Sequence, residues 1–126
     1  MCAARVRPEI RVENQTRGCV LVAAGRVADN SWTRLRGLIG SKPLQSGEGL
    51  LIVPCKSIHT HFMSFAIDAL FVDRDLQIVA ISEDMAPWRF GRVHRRAHFV
   101  IEVAAGTAAA TGSQPGDQLS MQGYKL

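Results

Sequence analysis

Apolar and polar residues along this chain fall mostly into short runs with a period of two, the pattern of strands with at least one buried face. Residues 9–14 and 18–28 read as a hairpin whose turn lies near Gln15–Gly18. In its second arm Val20, Val22 and Ala24 alternate with Leu21 and Ala23, which predicts cover on both faces. Leu50–Val53 predicts a short strand ended by Pro54. Ser57–Met63 and Phe65–Val72 both read as extended. Gln77–Ser82 is expected to pair with Phe65–Val72 across the polar turn Asp73-Arg74-Asp75. His98–Val103 predicts another strand, and Pro115-Gly116-Asp117 turns into a last one, Gln118–Met121.

The period changes to a helical one only once at length. Asp29-Asn30-Ser31 offers a short oxygen side chain to the free N–H groups of a first turn. Trp32, Leu35, Leu38 and Ile39 then form one apolar stripe, and Gly40 with Pro43 ends it, so the helix is expected over 31–40. Gly106–Thr111 reads as one short helical turn, and Met85–Arg96, with Pro87 and Gly91, as a long basic loop. The elements predict an α+β fold, mainly antiparallel β, as a small barrel-like or two-layer sheet with one amphipathic helix near residues 31–40. A flexible tail over 1–8, a single globular domain over 9–122 and a short tail over 123–126 are expected.

Composition narrows this little. A chain of 126 residues, 47% apolar and 21% charged, is long enough for one real core. No apolar run approaches the ~18 residues of a membrane span. Met1–Ile10 lacks an apolar signal core, so a cytoplasmic location is expected from this chain. Cys2, Cys19 and Cys55 are too few and scattered for a disulfide framework, which fits a reducing compartment. Twelve arginines and three lysines bring the net charge only to +4, modest for a nucleic-acid binder.

The string Arg36-Gly37-Leu38-Ile39-Gly40, then Gly47-Glu48-Gly49-Leu50-Leu51, then Ser57-Ile58-His59-Thr60-His61-Phe62-Met63, and Ile67-Asp68 with Phe71-Val72-Asp73, resembles the domain of unknown function family 192. Glu102-Val103, Gly106 and Gly116-Asp117 extend the resemblance, which covers residues 12–121. It implies a compact, mostly β domain with one helix, and many relatives carry secretion signals. No reaction comes with it. Ser64 stands where relatives usually have a lysine or arginine, and His61 where an apolar or aromatic residue is usual.

Four features carry candidate chemistry. His59, His61 and Met63 share parity, so in a strand they face one way about 6.6 Å apart, and such a set suits Cu or Zn. The plainer reading has Met63 in the core and the histidines half-exposed. Cys55 with His59 or His61, oriented by Asp68, has the residue types of a Cys–His nucleophile, but in an extended chain Cys55 lies about 13 Å from His59. Asp68 sits in a run apolar on both sides and must find donors there, either backbone N–H groups or Arg36. It reads first as a buried anchor holding helix to sheet, and second as a ligand-binding or hydrolytic centre. The loop Trp88-Arg89-Phe90-Gly91-Arg92-Val93-His94-Arg95-Arg96 interleaves cations with aromatics, which suits an anionic ligand or protein partner ahead of nucleic acid. The sequence therefore points to a non-enzymatic binding or accessory domain. Its expected ligand or partner residues are Arg36, Asp68, Arg89, Arg92, His94, Arg95 and Arg96, and a small metal-binding protein using His59, His61 and Met63 is the alternative.

Overall fold

The computed structural model describes residues 9–40 and 42–125; the tail 1–8 with Cys2, residues 41 and 126, and the side chain of Arg36 lie outside the described residues. The expected pairing of Arg36 with Asp68 falls there too.

Seven strands form one curled sheet, a half-barrel, with two short helices. They are β1 (Ile10–Asn14), β2 (Cys19–Ala28), β3 (Glu48–Ile52), β4 (Ile67–Val72), β5 (Ile78–Met85), β6 (Phe99–Ala104) and β7 (Leu119–Gln122). The spatial order is β5-β4-β6-β3-β2-β1-β7. The β1–β2 and β4–β5 hairpins form as the period-two pattern predicts. Every pairing is antiparallel except β2 with β3, which run parallel because the chain crosses over between them. The two edges of the sheet meet at one corner. There Ile78 donates to the Asp117 carbonyl at 3.0 Å, Leu119 to that of Leu76 at 2.7 Å, and Gly116 to that of Ile78 at 2.7 Å. This contact closes one end and satisfies edge groups that an open sheet would leave to solvent.

Both faces of the sheet are covered, which is why β4 is buried at all six positions. Inside the curl pack Leu21, Leu51, Leu70, Phe99, Ile101 and Val103. On the outer face Leu50, Ile52, Ala69, Phe71 and Val100 are roofed by Leu38, Ile58 and Met63 from the connecting segments and by Met85 at the end of β5.

The crossover helix α1 (Ser31–Arg36) begins as expected. Asn30 Oδ1 accepts from the Thr33 N–H at 2.9 Å, and Thr33 Oγ1 accepts from the Asn30 N–H at 3.3 Å, a reciprocal capping box. The helix is shorter than the predicted 31–40. Gly37 turns to φ +50°, a conformation a side chain would oppose, and its N–H returns to the Thr33 carbonyl. The predicted apolar stripe breaks with it: Leu38 is buried, while Trp32 and Leu35 are 70% and 66% exposed. The second helix, α2 (Thr107–Thr111), is the short turn read from the sequence. Among the described residues no helix is long and apolar enough to cross a membrane.

Ser57–Met63 is the main departure from the predicted strands. It forms only one isolated bridge, His59 with Phe90, and lies as a loop laced to residues 86–94. Thr60 is fully buried and does most of the lacing: its N–H donates to the Arg89 carbonyl, its carbonyl accepts from Trp88, and its hydroxyl donates to the Ala86 carbonyl at 2.6 Å and accepts from the Arg89 N–H at 2.9 Å. Gly91 donates to the Ile58 carbonyl, and a Cβ on Gly91 would lie 2.8 Å from that oxygen, so the two segments approach this closely only through glycine.

A candidate ligand cleft beneath the crossover helix

The chain between α1 and the bend at Pro54 encloses a cleft of about 360 Å³. Leu38, Ile52, Ile58 and Met63 give it apolar walls, Leu35 and Ile39 line it from the side of α1, and Arg34, Cys55, His59 and Glu102, with Ser31 and Ser57, supply its polar groups. The volume lies at the lower end of the range for small-molecule sites, which are mostly apolar with a few converging polar groups.

Glu102 is the feature that the strand pattern concealed. In β6, Phe99, Ile101 and Val103 face the inside of the curl, which assigns Val100 and Glu102 to the other face. That face is not solvent, because the connecting segments cover it. Glu102 is 3% exposed, between Leu50 of β3 and Ala69 of β4. Its Oε1 has no hydrogen-bond partner among the described residues. Burial pushes its carboxyl up to about 8, so it is a neutral acid at neutral pH. The signal in the sequence was a lone acid among apolar residues of one strand. Its meaning depended on whether the outer face was roofed.

Arg34 presents a matching oddity. Its Nε is buried without a partner, and only a long 3.4 Å bond from its Nη1 to the Pro54 carbonyl holds the guanidinium. Cys55 Sγ donates to the Ser57 carbonyl at 3.0 Å. Burial pushes this thiol up, the opposite of what an activated nucleophile requires. The bend after Pro54 does bring Cys55 and His59 to one cleft, against the distance expected of an extended chain. Asp68 is not there to orient them, because it lies on the opposite face of the sheet.

Asp68 is fully buried and fully bonded. Its Oδ1 accepts from the Asp84 N–H at 2.8 Å, and its Oδ2 from Gly106 at 3.1 Å and Ala108 at 2.9 Å. It therefore ties β4 to the end of β5 and the start of α2. These partners are backbone groups, the first of the two kinds of donor expected for it, and they lie in β5 and at the start of α2. These three bonds, with no part of the side chain open to solvent, make Asp68 a structural anchor among the described residues.

Of the histidine-methionine set, His59 and Met63 both line the cleft, while His61 lies outside its lining. Because Thr60 points inward, His59 and His61 point outward together, their ring centroids 5.3 Å apart. Phe62 then takes φ +66° and reverses the alternation, so Met63 turns into the core. The Nδ1 of His59 already accepts from the His61 N–H at 3.2 Å. Among the described residues no group of three or more His, Cys, Asp or Glu side chains is placed to hold a metal ion.

The histidines join an aromatic surface instead. His61 packs on Phe90 at 4.4 Å and Trp88 at 5.4 Å, and Phe62 on Trp88 at 4.7 Å. Phe90 is 81% exposed. Arg89 and Arg92 flank it, and Arg95 and Arg96 are also exposed, whereas His94 is half-buried with its ring centroid 4.3 Å from that of Phe71.

Comparison with known proteins agrees with this architecture. The chain is 31% identical over 111 residues to a UPF0127 protein of Pyrococcus furiosus, a match that covers 84% of this chain and 93% of that one. A solved protein of unknown function from Novosphingobium aromaticivorans superposes with a TM-score of 0.79 at 23% identity, over 94% of each chain. A Sinorhizobium meliloti protein named for a proposed role in transcription regulation superposes with a TM-score of 0.78 at 22% identity, over 97% of this chain and 98% of that one. At these identities the two structures show a shared fold. The match to the family model runs over residues 12–121, and the chain belongs to the DUF192 family, described as uncharacterized ACR.

Proposed function

We propose that this chain is a small, non-enzymatic binding domain whose ligand site is the cleft beneath α1. One observation carries the reading. A buried carboxyl with an unpartnered oxygen lines a cleft whose walls are otherwise mainly apolar. A group of that kind costs stability in an empty fold, and folds retain such groups mainly where they do something else. Nothing around it assembles a reaction, since the neighbouring thiol is held neutral and Asp68 is committed elsewhere. The test is a fragment screen by NMR on the whole chain. Binders are expected to shift the resonances of Leu38, Ile58 and Met63 together. Leu35→Trp, at an exposed position on the mouth, is expected to abolish those shifts without unfolding the protein. A diverse screen in which no fragment moves these resonances overturns the reading.

A second reading concerns partners. Phe62 and Trp88 both sit at positive φ, +66° and +64°, and both present their rings to solvent. With Arg89 and Arg92 beside them, this surface suits an acidic protein segment carrying an apolar side chain. Titration with an acidic peptide and with an oligonucleotide at two salt concentrations separates the two kinds of polyanion. Tight binding of the oligonucleotide with a steep salt slope, and none of the peptide, overturns this choice of partner.

A further inference from the structure

We infer that the cleft takes a small apolar monocarboxylate, whose carboxylate lies between Arg34 and Glu102 and whose tail lies among Leu38, Ile58 and Met63. The inference rests on the cleft being a ligand site and adds the class of ligand.

The polar groups of the cleft decide the class. Arg34 Nε is a permanent donor, itself buried and without a partner among the described residues. Glu102 is the other unsatisfied group, and as a neutral acid it carries an O–H that also lacks an acceptor. Cys55 already spends its S–H on the Ser57 carbonyl. These two buried donors and one fixed positive charge share a cleft whose remaining polar side chains, Ser31, Ser57 and His59, add no negative charge. An anion with two acceptor oxygens satisfies both donors at once, and a carboxylate does so with the smallest head group. A cleft of about 360 Å³ with apolar walls then calls for a compact hydrocarbon tail and leaves little room for a second charged group.

The charged and titratable side chains that share the cleft with Glu102 are Arg34 from α1, and Cys55 and His59 from the segment after Pro54. Its neighbours on β3 and β4, Leu50 and Ala69, are apolar. When Glu102 ionises, its charge opposes a bound carboxylate directly and also offers Arg34 an internal partner. Binding should therefore weaken as pH rises through the range where Glu102 loses its proton.

The experiment uses benzoate and isovalerate as probes, with benzylamine and isopentylamine as their cationic counterparts, followed by NMR and calorimetry on the whole chain. At pH about 6.5 the carboxylates are expected to bind and the amines not to. Affinity for benzoate should fall at least about tenfold by pH about 9. Glu102→Gln keeps a donor and cannot ionise, so it should bind benzoate at both values and remove the pH dependence. Cys55 and His59 are intact in that variant, so the lost dependence is assigned to Glu102. Arg34→Met should lose at least about tenfold in affinity while melting near the wild-type temperature, since one charge-assisted hydrogen bond is gone. Binding of the amines in place of the carboxylates, or benzoate binding that strengthens with pH, overturns the ligand class and leaves the cleft as a site. Binding of neutral fragments alone does the same. A cleft that binds neither charged series nor any neutral fragment overturns both.

Discussion

Asp68 and Glu102 sit on neighbouring rungs of adjacent strands and have opposite fates. Asp68 pairs across from Val103, and Glu102 from Ala69, so one carboxyl projects from each face of the same sheet. Both are buried. Asp68 meets three backbone N–H groups supplied by chain segments that would otherwise end without partners. Glu102 meets a cleft. The difference shows that burial alone does not mark a functional acid. What separates an anchor from a candidate site is whether the fold provides donors, and only Asp68 has them.

The sharpest way to break this comparison is to remove Asp68. Asp68→Ala strips the acceptor from three backbone N–H groups and is expected to cost about 4 kcal/mol in urea unfolding. Asp68→Asn keeps one acceptor oxygen and should cost less. A loss below about 1 kcal/mol for the alanine variant would mean that the anchor is dispensable and the two acids are alike.

Glu102 gives the next largest effect, through pH. Its carboxyl is raised from 4.5 in the unfolded chain to about 8 by burial. The folded state thus holds a proton that the unfolded state releases. The associated stability is fully present below about 4.5 and is lost as pH rises to about 8. Each unit in that window costs about 1.4 kcal/mol at most, so wild-type protein should lose about 2–3 kcal/mol between pH about 6 and about 8. Glu102→Gln should flatten that slope. Wild-type stability that does not change over this range would show an ionised, partnered Glu102 and would erase the contrast with Asp68.

A third buried acid gives the smallest effect and calibrates the others. Asp117 accepts from Arg17 Nε at 2.9 Å and Nη2 at 3.1 Å, from Asn14 at 2.9 Å and from the Gln114 N–H at 3.0 Å. The Arg17 hydrogen bonds above all, and then those from Asn14 and Gln114, hold its carboxyl down to about 2. Its contribution is present above the ordinary carboxylate range and is lost as pH falls toward about 2. Arg17 is open to solvent, which screens the pair, so Asp117→Asn should cost only about 1 kcal/mol at neutral pH. The gap between variant and wild type should close during acid titration followed by circular dichroism. A gap that persists at acid pH would place the energy in packing and not in charge.

Much of this molecule was legible in its sequence for local reasons. The strands and hairpins follow from period-two runs bounded by polar turns, because a pleated chain sends alternate side chains to opposite faces. The capping residue Asn30 announced its helix, because a short oxygen beside free N–H groups is a local device. The isolated acid in Phe65–Val72 had to find donors, because an unpaired carboxylate in an apolar run is costly wherever the chain goes. Tertiary structure decided everything that depended on what lies across a gap. It chose backbone N–H groups as the partners of Asp68. It laced Ser57–Met63 to residues 86–94, and the turn at Phe62 broke the alternation that would have kept His59, His61 and Met63 on one face. It roofed the outer face of β6, which turned Glu102 from an ordinary surface acid into the floor of a cleft. A strand pattern reports that a residue faces one side of a sheet. Whether that side meets water depends on chain segments distant in sequence.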